Sequence, residues 1–280
     1  MDKNLQDSLF RGLFDLTGQV AIVTGGLGRL GREYVRTLAQ AGAGVAALDT
    51  ADDAAAFRDL TSAGARVMMV RVDLTVRDLV NDAVARVARE LGAPSILVNN
   101  AGLGSSPAAG GAEFGPFEDY PEAAWDAMLD SHLKSALFVS QAFVREYRAG
   151  GAKAGSIINV SSTYGVVSPD QAIYEYKRTG GAEWTKPVGY SVAKSGMLNF
   201  TRWLAEYGAA YGIRANTLVP GGVREEAHAT EFIREYEKRT PLGRMAAESD
   251  YNGAVLFLAA RASAYMTGAT LVVDGGWTAR

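Results

Sequence analysis

The stretch that most constrains this chain is TGGLGRLG, Thr24 to Gly31, set between an apolar run and a helical pattern. Residues 19–24 (QVAIVT) are short, apolar and β-branched and end at glycines, which predicts a buried parallel strand. Over residues 32–41, Tyr34, Val35, Leu38 and Ala39 recur at helical spacing, so the glycines fall in a strand-to-helix turn. Lacking Cβ, Gly25, Gly28 and Gly31 would let backbone amides and a helix N-terminus approach a pyrophosphate, with Arg29 and Leu30 in the same turn. The same punctuation recurs down the chain. Apolar runs at 44–49, 66–72, 95–98, 156–160, 214–219 and 270–273 are interleaved with helical patterns at 78–91, 121–148, 191–211 and 248–260. This alternation predicts an α/β chain of one domain spanning 1–280, built on one doubly wound parallel sheet.

In such a sheet, ligands gather at the carboxyl ends of the strands. Asp49 ends the second run, eighteen residues beyond Gly31, where an acid would hold a ribose 2′-hydroxyl and repel the extra phosphate of NADP. Arg29 pulls the other way, since it could reach a phosphate. NAD is the expected cofactor, with NADP second.

Other chemistries have little support. There are no cysteines, so disulfides, thiolate metal sites and cysteine nucleophiles are excluded together, as suits a cytoplasmic chain. Only His132 and His228 are available for a histidine metal cluster, so no metal is expected. No GxSxG elbow occurs. The net charge of −3, with both signs interspersed, gives no nucleic-acid or membrane-seeking face. The opening residues 1–16 lack the apolar core of a signal peptide, and no apolar run approaches a membrane span.

The chemistry points to Tyr190-Ser191-Val192-Ala193-Lys194. Four residues apart on a helix, the phenol of Tyr190 and the ammonium of Lys194 share a face. A free tyrosine titrates near pH ~10, and a nearby cation favours the phenolate. A tyrosine so placed becomes a proton-transfer group near neutrality. Alone, the YxxxK spacing is common.

TGGLGRLG, Asn99-Asn100-Ala101-Gly102, Ser161-Ser162, YSVAK and Pro220-Gly221-Gly222, in this order, resemble the single-domain branch of the short-chain dehydrogenase/reductase family over about residues 16–277. The resemblance implies a seven-stranded Rossmann sheet with helices on both faces, and hydride transfer between nicotinamide and an alcohol or carbonyl. It implies that Tyr190 is the general acid/base and that Lys194 holds the nicotinamide ribose and lowers the tyrosine pKa. Ser162 would hydrogen-bond the substrate oxygen. Asp73 and Leu74 would meet the adenine, Asn100, Ala101 and Gly102 line the cofactor, and Val223, after Pro220 and Gly221, meet the carboxamide. A homotetramer is the family-level expectation.

This chain departs from the pattern at four places. Arg29 stands where the family usually has glycine, and the resulting TGxxGxxG matches the spacing of the sugar-nucleotide epimerase branch. His132 replaces the usual asparagine of a proton relay, as a relay substitute or a core histidine. Glu225 replaces a threonine that commonly touches the cofactor. Ser162 and Tyr190 are 28 residues apart, about twice the usual separation.

That separation defines an active-site insertion over about 164–189, containing Asp170, Tyr174, Glu175, Tyr176, Lys177, Arg178, Glu183, Trp184 and Lys186. Tyr174 has Arg178 rather than lysine four residues on, so Tyr190 is preferred as the catalytic tyrosine. A second variable region, 224–239, reads as a polar lid helix whose Arg224, His228 and Arg234 could face substrate. Aromatic rings beside charges suit polyhydroxylated or anionic ligands. The bland alternative is a solvated flap or a subunit contact. The expected activity is NAD-dependent oxidation of a secondary alcohol in a sugar, polyol or sugar acid. Alternatives are an NAD-bound sugar epimerase or dehydratase, and a non-enzymatic dinucleotide-binding regulator.

Overall fold

The computed structural model describes residues 12–53, 55–178 and 183–279. The first eleven residues, Ala54, residues 179–182 of the insertion and Arg280 lie outside the described residues. Seven strands form one parallel sheet: β1 (Val20–Thr24), β2 (Gly44–Asp49), β3 (Val67–Arg71), β4 (Ile96–Asn99), β5 (Gly155–Val160), β6 (Ile213–Pro220) and β7 (Thr270–Val273). Their spatial order is β3-β2-β1-β4-β5-β6-β7, with the reversal of direction between β1 and β4. Such a reversal opens a crevice at the carboxyl edge.

Side chains alternating along each strand build two separate cores. On one face Ala21, Val23, Val45, Ala47, Ile96 and Val98 pack under helix α1 (Arg29–Gln40), through Tyr34, Val35 and Leu38. On the other, Val20, Ile22, Ala46, Leu48 and Leu97 meet Val80, Val84 and Val87. A short α2 (Arg58–Ser62) precedes β3, and those three valines belong to α3 (Arg77–Glu90). Helices therefore cover both faces, the expected doubly wound sheet.

The pattern at 121–148, expected to be one helix, is α4 (Glu122–Leu129), a π-helical segment (Asp130–Lys134) and α5 (Ser135–Ala149). Hydroxyl bonding back to the chain accompanies the π segment: Ser135 Oγ donates to the Ser131 carbonyl at 2.6 Å. After β5 come α6 (Thr163–Val166) and the long α7 (Val188–Ala209). Helix α7 starts before the expected position, just after Pro187, whose fixed φ suits a helix entry. The expected lid helix is shorter: α8 covers only Thr230–Arg239. The expected helix at 248–260 is a 3₁₀ turn (Glu248–Tyr251) followed by α9 (Asn252–Ala259).

The lid is also less polar than expected. Phe232 and Tyr236 of α8 are buried with Ile173, Tyr174 and Met245 in a third apolar cluster, and Trp184 packs on it. This cluster joins the insertion to the lid, and Arg239 pairs with Asp170 across the same join at 2.7 Å. Trp184 also stacks on Phe114 at 5.2 Å, and Thr185 N donates to the Phe114 carbonyl, so the loop after β4 enters the roof.

Candidate active site

One cavity of about 570 Å³ opens at the carboxyl edge beneath this roof. Of the expected site residues, Gly25, Gly28, Arg29, Leu30, Asp49, Asp73, Leu74, Asn100, Ala101, Gly102, His132, Ser162, Tyr190, Lys194, Pro220, Gly221 and Val223 all line it. Gly31 does not. It is buried where α1 meets the turn, and a Cβ there would run into the Gly25 carbonyl, so its role is close packing.

The floor near β1 suits a pyrophosphate. Gly25 sits at φ +61°, and a Cβ on it would meet the Cα of Ala101 at 3.0 Å. No side chain caps α1 and its first turn carries no acid, leaving the positive helix end to a ligand. Asn100 Nδ2 donates to the carbonyls of Thr24 and Gly25, tying the ends of β1 and β4 together. At the end of β2 Asp49 accepts from Leu27 N at 3.0 Å and Ala51 N at 3.2 Å. Asp73 accepts from the hydroxyl and backbone N–H of Thr75, which hold its carboxyl below the usual range.

Arg29 is not free to meet a phosphate as the sequence allowed. Its guanidinium pairs with Glu225 at 2.5 Å and Glu248 at 2.7 Å and donates to the Arg224 carbonyl. Two other expectations fail. Arg234 is largely exposed beside Glu235, and Arg224 lies outside the cavity lining. His228 does line it, its ring against Phe232 at 4.9 Å and its Nδ1 accepting from Glu225 N at 3.2 Å.

Ser162 lies just past β5 in extended conformation, and its Oγ accepts from Tyr164 N at 3.2 Å. Tyr190 sits in the first turn of α7 and Lys194 one turn later. Two hydrogen bonds lace the end of β5 and α6 to α7: Ser161 Oγ to the Lys194 carbonyl at 2.7 Å, and Ser195 Oγ to the Gly165 carbonyl at 2.9 Å. They hold Ser162 against the tyrosine. Burial pushes the Tyr190 phenol up, and the neighbouring Ser162 hydroxyl offsets part of that rise. The Lys194 ammonium stands 5.9 Å from the tyrosine ring centroid and donates to the Val160 carbonyl at 2.9 Å. Burial lowers Lys194 to about 8. Desolvation of the phenolate is the largest influence on Tyr190.

His132 occupies the π segment, edge-on to Tyr190 with ring centroids 5.7 Å apart. Its Nε2 lies 3.1 Å from the Leu103 carbonyl, which only an N–H can serve. Burial and the charge of Lys194 hold its pKa well below the ordinary value, so the ring is neutral near pH 7. Nδ1 is then an acceptor, buried and without a partner among the described residues.

A family model described as enoyl-(acyl carrier protein) reductase matches residues 28–278. The chain belongs to the short-chain dehydrogenase/reductase family. It is 32% identical to the 2-dehydro-3-deoxy-D-gluconate 5-dehydrogenase of Escherichia coli K12, over 95% of this chain and 98% of that protein. It is 34% identical to the cis-4-hydroxycyclohexanecarboxylate dehydrogenase of Sinomonas cyclohexanicum, over 93% and 97%. The crystal structure of a gluconate 5-dehydrogenase from Burkholderia cenocepacia J2315 with NADP and tartrate superposes with a TM-score of 0.82 at 29% identity, covering 95% of this chain and 98% of that one. This short-chain dehydrogenase/reductase is thus an oxidoreductase of a family that binds NAD(P).

Sequence reasoning assigned the insertion and the lid to the site but did not single out the residues of the upper wall. Ser105, Ser106, Tyr164, Phe232, Tyr236 and Met245 reach the cavity from four separate segments, and no local pattern marks them. The asparagine before Asn100 had a role with no local signal either. Asn99 Nδ2 donates to Asn159 and Ser140, and Asn159 donates to Thr201, a buried polar chain between β4, β5 and α7.

Proposed function

We propose that the protein is an NAD-preferring oxidoreductase that moves a hydride between nicotinamide and a secondary alcohol or carbonyl of a sugar, polyol or sugar acid. The observation that carries this reading is that Ser162, Tyr190 and Lys194 line one cavity with the glycine turn and Asp49. The bound nicotinamide supplies the hydride acceptor and, when oxidised, a positive charge beside the site.

The protein's own residues handle the proton and the oxygen. Tyr190 takes the proton of the substrate hydroxyl during oxidation and returns it during reduction. Ser162 turns its single hydroxyl proton to the substrate oxygen as negative charge develops there. Lys194, fixed to Val160, holds a cation beside the phenol and offers its remaining donors to the ribose. His132 packs against Tyr190 as a neutral ring, with Nδ1 as an acceptor for a relay water. The roof of Tyr174, Trp184, Phe232 and Tyr236 excludes solvent, which strengthens each of these interactions.

Two features support NAD over NADP. Asp49 puts a carboxylate where a 2′-phosphate would lie, and Arg29 is committed to Glu225 and Glu248. The stacked Trp203 and Tyr207, 5.2 Å apart on the outer face of α7 with Trp203 60% exposed, support assembly through that helix into the homotetramer of this reading. Among the described residues no helix is long and apolar enough to cross a membrane.

The deciding experiment is NADH formation with NAD, and separately NADP, over sugars, polyols and sugar acids, with Tyr190→Phe as control. Turnover on one ligand group with NAD, lost in the mutant, is the expected result. Silence across the panel with cofactor bound overturns the reading.

A further inference from the structure

Lys186 is a buried ammonium on the roof of the cavity, 8% exposed. Its backbone N–H donates to Gln171 Oε1 at 2.9 Å and Pro187 follows it, so the insertion and the entry of α7 fix its position. Nζ stands among three phenol rings, 5.4 Å from the centroid of Tyr190, 5.6 Å from Tyr164 and 5.9 Å from Tyr174. It donates to the Ser105 carbonyl, which uses one of its three protons. No carboxylate among the described residues forms an ion pair with it. The acid that acts on it, Glu225, is already paired with Arg29 and accepts from Ser106 Oγ at 3.2 Å.

Burying an ammonium without a counter-ion is costly, and ring faces recover only part of the loss. An anionic ligand completes the site. The ammonium lies over the ring of Tyr190, so an acid group held there belongs to a molecule whose carbinol can reach Ser162 and Tyr190. We infer that Lys186 anchors the carboxylate of a sugar acid while Ser162 and Tyr190 hold the reacting oxygen. The inference rests on the proposed function and narrows it from three substrate classes to one.

The anchor also makes binding proton-linked. The groups facing Lys186 are Tyr164, Tyr174, Tyr190, Glu225 and His228, and burial lowers the lysine itself to about 7. A carboxylate favours the charged form, so acid binding takes up a proton above pH about 7 and weakens as pH rises. An uncharged polyol lacks this dependence.

The test is calorimetric titration of the NAD-saturated protein with D-gluconate and D-galactonate, and with the uncharged D-glucitol and galactitol, on wild type, Lys186→Met and Lys186→Arg. Lys186→Met should weaken aldonate binding by about tenfold or more and leave the alditols unchanged, and Lys186→Arg should recover most of the loss. Aldonate binding that survives Lys186→Met, or a wild type that binds aldonates no better than alditols, overturns the anchor. The wild-type pH series needs no variant to fold: aldonate affinity falling above neutrality with alditol affinity flat supports the anchor, and parallel profiles overturn it. Turnover is read separately. Aldonates that bind through Lys186 without reducing NAD would sink the hydride-transfer reading and leave the anchor standing.

Discussion

The ammonium of Lys194 donates to the carbonyl of Val160, tying the helix that carries Tyr190 to the strand that ends two residues before Ser162. With the bonds from Ser161 and Ser195, this contact fixes Ser162 relative to Tyr190. Tyr190→Phe leaves this contact intact and removes only the phenol oxygen. Turnover should fall by about a thousandfold or more, with NAD affinity and melting temperature unchanged. Steady-state rates with a binding titration check this.

Cofactor choice is expected to turn on Asp49. Asp49→Ser removes the charge and keeps a short acceptor for Leu27 N. The ratio of kcat/KM for NADP to that for NAD should rise by about tenfold or more. An unchanged ratio would mean that Asp49 does not face the ribose.

Gly102 and His132 are in direct contact, since a Cβ on Gly102 would enter the imidazole. Gly102→Ala should destabilise the protein by about 1–3 kcal/mol in urea unfolding, because the ring is locked by its bond to Leu103. Adding His132→Ala should return part of that loss, and additivity in this double-mutant cycle would argue against the clash.

Acid should act through the same histidine. Its folded pKa lies below the ordinary 6.5, so the unfolded chain binds the extra proton first as pH falls. Stability is full above about pH 6.5 and is lost as pH falls toward the folded value. His132→Asn, which cannot titrate, should flatten melting temperature between about pH 6.5 and 5 relative to wild type.

Tyr236 braces the last part of the floor. Its hydroxyl accepts from Gly222 N at 2.6 Å and its ring stacks on Trp277 at 4.2 Å. Tyr236→Phe leaves the Gly222 N–H unpaired and should cost about 1–2 kcal/mol, visible in denaturant unfolding. A larger rise in KM for the cofactor than for the alcohol would place the effect at Gly222.

The sheet was legible because its signals are local. Each strand is a few β-branched residues ended by a turn residue, and the stripe of Tyr34, Val35 and Leu38 needs only its own helix to be read. The lower half of the site was legible for the same reason, since the glycine turn, Asp49 and YSVAK lie at strand ends or within one helical turn. The roof was not. Phe232 and Tyr236 sit among charged neighbours and looked solvated until Tyr174 and Trp184 were brought over them. Arg29 was read as free because its partners Glu225 and Glu248 are about two hundred residues away. The π segment has no sequence signature beyond an ordinary helical pattern.

Ser162 and Tyr190 stand on parts of the molecule whose separation is fixed by the packing of α6 on α7, while the chain between them makes a long closed excursion. The entropy of closing such an excursion grows only slowly with its length. Lineages can therefore lengthen, shorten or rewrite the excursion without moving the reacting atoms. On the proposed reading the reaction and the choice of substrate sit on separable parts of the chain, and grafting another family member's excursion between these anchors is a route to a new substrate with the old chemistry.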